Sequence, residues 1–172
     1  MFLHQEQTEG LSINSYIIGD LKTKKCAIID PTRETHRYIE IAQKNHLSIE
    51  AILETHIHAD FVSGAKQLKY ELKGKPQIYC SGLGGSDWIP KYADIVVREN
   101  QEITFGSTCI QAIHSPGHTP EHIFWAVYDM ERSKKEPWIL FTGDLLFVGG
   151  IGRPDLLQEH YFDFLSKELY TT

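Results

Sequence analysis

The sequence predicts a mixed α/β protein in which sheets lie inside and helices cover them. Apolar stretches with strand character outnumber helical ones, and the two kinds alternate in two successive passes along the chain. No repeat, low-complexity segment or linker divides the 172 residues. Because an alternation of this kind is usually resolved as packed layers around one core, we expect residues 1–172 to form a single domain.

The first half of the chain predicts five strands and two helices. The helices are expected at residues 33–45 and 61–72, where apolar side chains recur at helical spacing. Thr32 is expected to cap the first helix, and Phe61 to open the second. A turn at Glu9-Gly10 is expected to separate the first two strands. The strands are expected at residues 2–7, 15–18, 26–30, 49–53 and 77–80.

The second half predicts a series of strands closed by one helix. Residues 123–128 and 138–141 are expected to pair as a hairpin with a polar tip. A helical pattern covers residues 158–169. Three more strands are expected before the hairpin, at residues 95–97, 101–105 and 109–113.

The composition excludes several classes of protein. The net charge of −6 comes without a basic patch, so no nucleic-acid partner is expected. The first residues contain neither a basic region nor a long apolar run, which predicts no signal peptide, no transmembrane segment and no membrane partner. Three widely spaced cysteines indicate no disulfide framework and fit a reducing compartment. We therefore expect a cytoplasmic protein.

A histidine-rich stretch, Thr55-His56-Ile57-His58-Ala59-Asp60, follows the apolar strand at residues 49–53. If the backbone leaves this strand extended, alternate side chains point the same way. His56, His58 and Asp60 would then converge on one point, as the imidazole and carboxylate ligands of a metal must. The alternative is that they are loop residues that make ordinary hydrogen bonds.

Two later stretches, each following an apolar strand, supply further residues of the same kind. Pro116-Gly117 is expected to turn the chain so that His118 points back from the sheet edge. Gly143 is expected to let the backbone come close beside Asp144. A catalytic metal site commonly takes about three protein ligands and leaves positions open. Histidine and carboxylate suit zinc or iron, and two histidines with one carboxylate are the ligand set of non-haem Fe(II) oxygenases.

The motifs Thr-His-x-His-x-Asp, His-x-Pro-Gly-His-Thr and Thr-Gly-Asp, in this order, resemble those of the metallo-β-lactamase superfamily. The resemblance covers essentially the whole chain. It implies a four-layer αββα sandwich with its metals at one sheet edge, here expected to stop before the last strand and helix of that fold. It also implies His56, His118 and Asp144 as ligands of the first metal. In the dinuclear branches His58 joins them and Asp60 serves a second metal.

One departure from the dinuclear pattern points to a particular branch. Dinuclear members such as glyoxalase II carry His after the Asp of the first motif, whereas this chain carries Phe61, which cannot bind a metal. Asp60-Phe61 and the glycine-rich residues 149–156 are similar to the persulfide dioxygenase branch, and in particular to its members fused to rhodanese domains. That resemblance implies one Fe(II) per chain, held by the three first-site ligands, with zinc as the alternative.

In that branch the second histidine of the first motif is not a direct ligand. By resemblance, His58 and Asp60 are therefore expected to lie beside the ligands and to orient them or a bound water. Arg153 and Asp155 are expected to stiffen the loop over the site. The alternative for this last pair is an ordinary surface ion pair or turn.

The function that the resemblance implies is that of a mononuclear iron persulfide dioxygenase in sulfur metabolism. Such an enzyme oxidises a thiol-carried persulfide, of the glutathione or coenzyme A type, with O2 to sulfite and the free thiol. Two alternatives stay open: a metal-dependent hydrolase of the glyoxalase II or lactamase type, and a truncated, inactive metal-binding module. Two further partners also stay open, a rhodanese module missing from this chain and a second copy of the chain in a homodimer.

Overall fold

The computed structural model describes residues 1–8, 10 and 13–172 of the chain. These residues form two large sheets, one small sheet, three α-helices and a single turn of 3-10 helix at Ser86–Trp88. The α-helices are α1 (Thr35–Lys44), α2 (Ala65–Glu71) and α3 (Glu159–Thr171). The strands are β1 (Phe2–Thr8), β2 (Ile13–Asp20), β3 (Lys25–Ile29), β4 (Ser48–Leu53), β5 (Gln77–Ser81), β6 (Ile95–Val97), β7 (Glu102–Phe105), β8 (Thr108–His114), β9 (Ile123–Asp129), β10 (Ile139–Phe141), β11 (Leu146–Phe147) and β12 (Gly150–Ile151).

The larger sheet holds β1 to β6 in sequence order. Its first three strands pair antiparallel, whereas β3 to β6 run parallel, with α1 and α2 making the first two crossovers. Consecutive residues of the central strands are both buried, as in Ile28-Ile29 and Ile52-Leu53. Because successive side chains point to opposite faces, this sheet must be covered on both sides.

One face of the larger sheet packs on helices and the other on the second sheet. Tyr38 of α1 and Leu68 of α2 lie in the core on the helix side. The second sheet is antiparallel, in the order β10-β9-β8-β7, and contributes Trp125 and Phe141 to the core between the sheets. Full burial of one large apolar side chain stabilises the fold by about 1.5–3 kcal/mol. The result is the layered sandwich that the sequence predicts.

The last helix packs near the loop that follows β8. Its Leu165 is fully buried, and Leu169 lies so close to Gly117 that a Cβ added at Gly117 would be 2.8 Å from the Cβ of Leu169. The Thr172 hydroxyl donates a hydrogen bond of 3.1 Å to the carbonyl oxygen of Pro116. α3 therefore supports the loop that carries His118.

The predicted start of the second helix is wrong. α2 begins at Ala65 and not at Phe61. The N–H of Gly64 donates to the carbonyl oxygen of Pro31 at 2.7 Å, so the preceding segment is tied to the end of β3 and cannot wind into a helix. Val62, which lies within the predicted range of this helix, is 69% exposed.

The predicted cap of the first helix is also wrong. Thr32 is buried and its hydroxyl lies 3.0 Å from the Tyr38 hydroxyl, so it bonds a side chain within the core. Helix α1 begins without a side-chain cap. A turn was also predicted at Glu9-Gly10, but Glu9 lies outside the described residues. The short ladder of β11 and β12 was not predicted.

The remaining elements confirm the sequence-based expectations, with ends that differ by a few residues. The three cysteines, all within the described residues, are buried and unpaired. None of the helices in the described part of the chain is long and apolar enough to cross a bilayer.

Candidate metal centre

Four segments that follow strands meet at one edge of the sandwich. In the larger sheet, β3 and β4 run parallel, and Asp30 and His56 lie just beyond their ends. In the second sheet, β8 and β10 are both antiparallel to β9, so they run in the same direction as each other. The segments beyond their ends carry His118 and Asp144. Strand ends that point the same way share an edge, which is why four distant segments converge here.

His56, His118 and Asp144 form a group with the spacing of metal ligands. One ligand atom of each lies within 4.8 Å of the others. Oδ2 of Asp144 is 3.9 Å from Nε2 of His56 and 3.9 Å from Nε2 of His118. Ordinary metal–ligand bonds of about 2.0–2.2 Å would reach a cation between atoms this far apart. The two histidines are largely buried, whereas the Asp144 side chain is 39% exposed, so the group opens to solvent on that side.

Thr55 fixes the orientation and tautomer of His56. Its backbone N–H and its hydroxyl both donate to the Asp30 carboxylate at 2.8 Å. The same hydroxyl oxygen lies 2.9 Å from Nδ1 of His56. Because the hydroxyl proton goes to Asp30, Nδ1–H of His56 is the donor in this contact and Nε2 keeps its lone pair.

The free nitrogen of His56 fits a metal ligand. Nε2 is buried and has no hydrogen-bond partner among the described residues. Burial, assisted by the neighbouring imidazoles, lowers the pKa of His56 well below its ordinary value. A neutral imidazole with an unpartnered lone pair is the form that binds a metal.

Gly143 allows the close approach that places Asp144. Its φ is +47°, a left-handed conformation. A Cβ at this position would lie 2.6 Å from the Thr55 hydroxyl oxygen and 2.7 Å from Nε2 of His122. The approach predicted at this glycine is confirmed. Burial, the larger effect, raises the pKa of Asp144, and the nearby imidazole of His118 opposes that shift.

His58 belongs to a second buried group. Its Nε2 lies 3.1 Å from Asp30 Oδ1 and 3.5 Å from Glu54 Oε2. Burial disfavours a charged ring, but the two carboxylates outweigh it and raise the pKa of His58 to about 10. Glu54 also accepts from the Ser63 hydroxyl, and the Phe61 ring packs on His58 with centroids 4.3 Å apart. His58 is therefore a buried cation between two carboxylates.

The other predicted residues lie at the surface. Asp60 is exposed and lines the cavity beside the first group. Arg153 donates to both carboxylate oxygens of Asp155, at 3.0 and 2.8 Å, and both side chains are exposed. The N–H of Gly152 donates to the carbonyl oxygen of Leu145 at 2.7 Å, so this ion pair follows a segment joined to the residue after Asp144. The stiffening of the loop by Arg153 and Asp155 stays a prediction.

Sequence analysis assigned no role to His122, which is fully buried beside the first group. Its Nδ1 lies 2.9 Å from the Ser115 hydroxyl, and its ring centroid is 5.0 Å from that of His56. Burial lowers the pKa of His122 to about 3, so this ring too is neutral. Its position four residues after His118 in the same polar stretch was the available signal.

Glu121 was also missed, and it joins two of the loops. It is buried, and its Oε1 accepts the N–H of Ile57 at 2.8 Å. Ile57 lies between the two histidines of the first motif, and Glu121 lies in the loop that carries His118. Its Oε2 is buried and has no hydrogen-bond partner among the described residues. A buried acid so close to ligands could not be distinguished from a surface loop residue by spacing alone.

A cavity of about 470 Å³ opens beside the first group. Asp144 and Asp60 lie in its wall, together with Asp30 and His58. Apolar side chains form much of the rest of the wall, among them Phe61, Leu140, Phe141, Leu146, Phe147 and Val148. The cavity gives a small molecule access to Asp144, the exposed member of the first group.

The sequence matches the family described as Metallo-beta-lactamase superfamily over residues 8–169. The chain belongs to this superfamily. The predicted fold class is thereby confirmed, and a solved structure supports it: a metallo-beta-lactamase from Staphylococcus aureus subsp. aureus COL superposes with a TM-score of 0.87 and 37% identity, over 99% of this chain and 51% of that chain. Homologues in this superfamily are metal-dependent enzymes, which agrees with the donor set at the sheet edge.

Curated relatives come from two enzyme classes within the superfamily. Mitochondrial persulfide dioxygenase ETHE1 of Mus musculus is 32% identical over 145 residues, which is 84% of this chain and 52% of the relative. The cytoplasmic isozyme of hydroxyacylglutathione hydrolase from Saccharomyces cerevisiae is 34% identical over 140 residues, 80% of this chain and 49% of the relative. The predicted similarity to persulfide dioxygenases is confirmed, and similarity to a hydrolase stands beside it. The chain spans about half the length of these relatives.

Proposed function

We propose that this chain forms the metal-binding domain of a mononuclear iron persulfide dioxygenase. The observation that carries the proposal is the separation of the two buried groups. His56, His118 and Asp144 supply two imidazoles and one carboxylate, the ligand set of non-haem Fe(II) oxygenases. Nε2 of His58 lies in a separate group, 3.1 Å from Oδ1 of Asp30 and 3.5 Å from Oε2 of Glu54. The mouse persulfide dioxygenase relative adds independent support.

Phe61 favours one metal over two. Its ring packs on His58 and lines the cavity, at the position where dinuclear members of the superfamily carry a histidine ligand. An apolar ring cannot bind a second metal there. We therefore propose one Fe(II) per chain, with His58 and Asp60 placed beside the ligands and not among them.

In the proposed reaction a thiol persulfide, RSSH, combines with O2 and water to give RSH and sulfurous acid, which ionises to sulfite. The S–S bond breaks, the thiol leaves with a proton, and the persulfide gives up four electrons in total to O2. Two oxygen atoms of sulfite come from O2 and one from water. When bound, Fe(II) supplies the one-electron and O2 chemistry that side chains lack.

The residues of the chain hold and surround the reacting groups. His56, His118 and Asp144 would bind the metal, and Thr55 keeps the His56 ring in the required tautomer. The His58 ring lies in the cavity wall, where Asp30 and Glu54 compensate its charge and fix its position beside the substrate. Apolar side chains such as Phe61 and Phe147 line part of the path that a substrate would take.

A metal-dependent thioester hydrolase is the second candidate. The yeast hydroxyacylglutathione hydrolase relative favours it, and Asp60 is exposed at the cavity, where the dinuclear members hold a second ion. Such an enzyme would use a zinc-activated water as nucleophile. Phe61, and the engagement of His58 with two carboxylates, weigh against this candidate.

The test compares both reactions on the same protein. Protein loaded anaerobically with Fe(II) should carry about one iron, as a single three-ligand site requires. Given coenzyme A persulfide or glutathione persulfide, it should consume O2 and release sulfite in equal amounts. Protein loaded with zinc should be offered a glutathione thioester in parallel. Two tightly held zinc ions with thioester hydrolysis and no sulfite would overturn the proposal, and His118→Ala serves as the inactive control.

A further inference from the structure

A second cavity, of about 830 Å³, lies apart from the candidate metal centre. Helix α2 and the start of β5 line it, together with Tyr92 and Asp94 from the segment before β6. None of the described residues that line it also lines the cavity beside Asp144. The segments that enter β5 and β6 lie at the amino ends of these parallel strands, whereas His56 follows the carboxyl end of β4. The second cavity therefore reaches the edge of the larger sheet opposite the candidate metal ligands.

This cavity carries more positive than negative charge. Its charged lining residues are three lysines and two acids, Lys66, Lys69, Lys73, Glu71 and Asp94. Asp94 is paired with Lys69 at 2.6 Å, and the Glu71 carboxylate accepts hydrogen bonds from two neutral side chains. Lys66 and Lys73 are exposed and have no ion-pair partner in the part of the chain that the structure describes. On a chain of net charge −6, the cavity is thus a local excess of positive charge.

Two tyrosine rings give the cavity an aromatic surface. Tyr70 is 84% exposed, Tyr92 is half-buried, and the buried Ile78 also lines the cavity. Among the described residues, no aromatic ring packs on either tyrosine. The face of Tyr70 is therefore available to a planar ligand, and the methylene stems of the lysines add apolar contact beside it.

We propose that this cavity is a binding site for an aromatic phosphate of the nucleoside monophosphate class. The base would lie against Tyr70 and Tyr92, and the phosphate would pair with Lys66 and Lys73. Lysine binds phosphate as a point charge, and a base gains binding energy by stacking on an aromatic side chain. A bare anion would meet only exposed lysines, which contribute little by themselves, and a neutral ring would leave those lysines unpaired. The occupant therefore combines a flat ring with a negative charge.

Three probes separate the ring from the charge. Adenosine monophosphate (AMP) carries both, adenosine carries only the ring, and inorganic phosphate carries only the charge. Titrated calorimetrically into the full chain, AMP should bind about tenfold more tightly than either of the other two, which corresponds to about 1.4 kcal/mol. Its affinity should fall as salt is added, because exposed charges are screened. Equal affinities of AMP and phosphate, or of AMP and adenosine, would overturn the inference.

A tyrosine variant with a matched control tests the aromatic contact. Tyr70→Ala should weaken AMP binding by about tenfold, since stacking on the ring is lost. Tyr170→Ala removes a similarly exposed tyrosine from α3, outside the cavity, and should leave the affinity unchanged. Both side chains are at the surface, so neither variant removes a core contact. Equal affinities of the wild type and Tyr70→Ala for AMP would overturn the inference.

A lysine variant tests the charge in the same way. The double variant Lys66→Gln/Lys73→Gln should weaken AMP binding by about tenfold and leave adenosine binding unchanged, because only AMP carries the phosphate. Lys44→Gln/Lys167→Gln changes the net charge by the same amount at exposed positions outside the cavity and is the control. An identical loss in both double variants would mean that net charge, and not this cavity, binds AMP, and would overturn the inference.

A comparison of metal-free and zinc-loaded protein keeps this inference apart from the proposed function. The described lining of the second cavity includes none of the proposed metal ligands, so AMP should bind both forms with the same affinity. Binding to the loaded form alone would mean that the phosphate binds the metal beside Asp144, and the inference would fail. Sulfite release from a persulfide by protein that does not bind AMP would overturn this inference and leave the dioxygenase proposal standing. AMP binding by protein that releases no sulfite would do the reverse.

Discussion

Nε2 of His58 lies 3.1 Å from Oδ1 of Asp30, and this contact joins the second histidine of the first motif to the segment after β3. The same carboxylate accepts two hydrogen bonds from Thr55, whose hydroxyl oxygen contacts His56. One aspartate therefore fixes the placement of both histidines. It also accounts for the separation of His58 from the three residues that we propose as metal ligands.

Removing a ligand should have a larger effect than removing His58. His118→Ala and Asp144→Ala should each abolish metal retention, because each takes away one of three donors. His58→Ala should weaken metal binding by about 10–100-fold, as loss of an orienting group does. Metal content after gel filtration, measured for all three variants, checks this. An equal loss in all of them would make His58 a true ligand.

Changing Phe61 should affect chemistry more than folding. Phe61→His restores the dinuclear motif in sequence, but the ring is only half-buried, so the free energy of unfolding should fall by about 1 kcal/mol. Dioxygenase activity should fall and uptake of a second metal should be slight. Phe61→Leu, which keeps an apolar side chain, should retain more activity. Undiminished O2 consumption in folded Phe61→His protein would show that the ring has no chemical role.

Glu121 should stabilise the link between the two histidine loops. In Glu121→Ala the N–H of Ile57 loses its acceptor inside the protein, which should cost about 1–3 kcal/mol in urea unfolding of the metal-free chain. Glu121→Gln keeps a carbonyl oxygen for this contact and should recover most of that loss. If the two variants are equally destabilised, the contact with Ile57 is not the reason that Glu121 is buried.

Asp20 should make stability depend on pH in the acid range. Burial raises the pKa of Asp20, but hydrogen bonds from Thr23 and Ser107 outweigh it and hold the pKa well below its usual range. The stabilisation from ionised Asp20 is therefore fully present above the pKa of an unfolded aspartate, about 3.9. It is lost as the pH falls through the lower pKa of Asp20 in the folded protein. Asp20→Asn should be less stable than the wild type at pH 7 by about 1–3 kcal/mol, and this difference should narrow in acid.

Urea unfolding at a series of pH values measures this difference directly. Asp163→Asn, at an exposed position of α3, is the matched control and should follow the wild type throughout. A constant difference between wild type and Asp20→Asn at every pH would show that the ionised form of Asp20 is not the source of the stability.

The strands, and the meeting of their ends at one edge, could be predicted from the sequence. Apolar runs that end at Gly, Pro or a polar cluster define strand ends, and parallel strands present those ends at one edge. His56, His118 and Asp144 each follow such a run, so their meeting could be expected. The confirmed superfamily fold depends on the same pattern.

The direction of His58 could not be predicted from spacing. Alternate side chains point the same way only while the backbone stays extended, and the chain leaves the strand geometry after β4. The carboxylates beside His58 belong to Asp30, which follows β3, and Glu54, which follows β4; sequence analysis singled out neither. The start of α2 was mispredicted for a related reason, because the N–H of Gly64 bonds to the distant Pro31. Such long-range contacts leave no local signal.

The proposed metal ligands come from both sheets, since His56 follows a strand of the larger sheet whereas His118 and Asp144 follow strands of the second. A chain in which only one sheet has formed cannot present all three donors. We therefore expect a metal ion to bind after the two sheets have docked and to link them. Any selection between iron and zinc would then be made by the folded site, whose geometry is fixed, and not by the separate ligands of an unfolded chain.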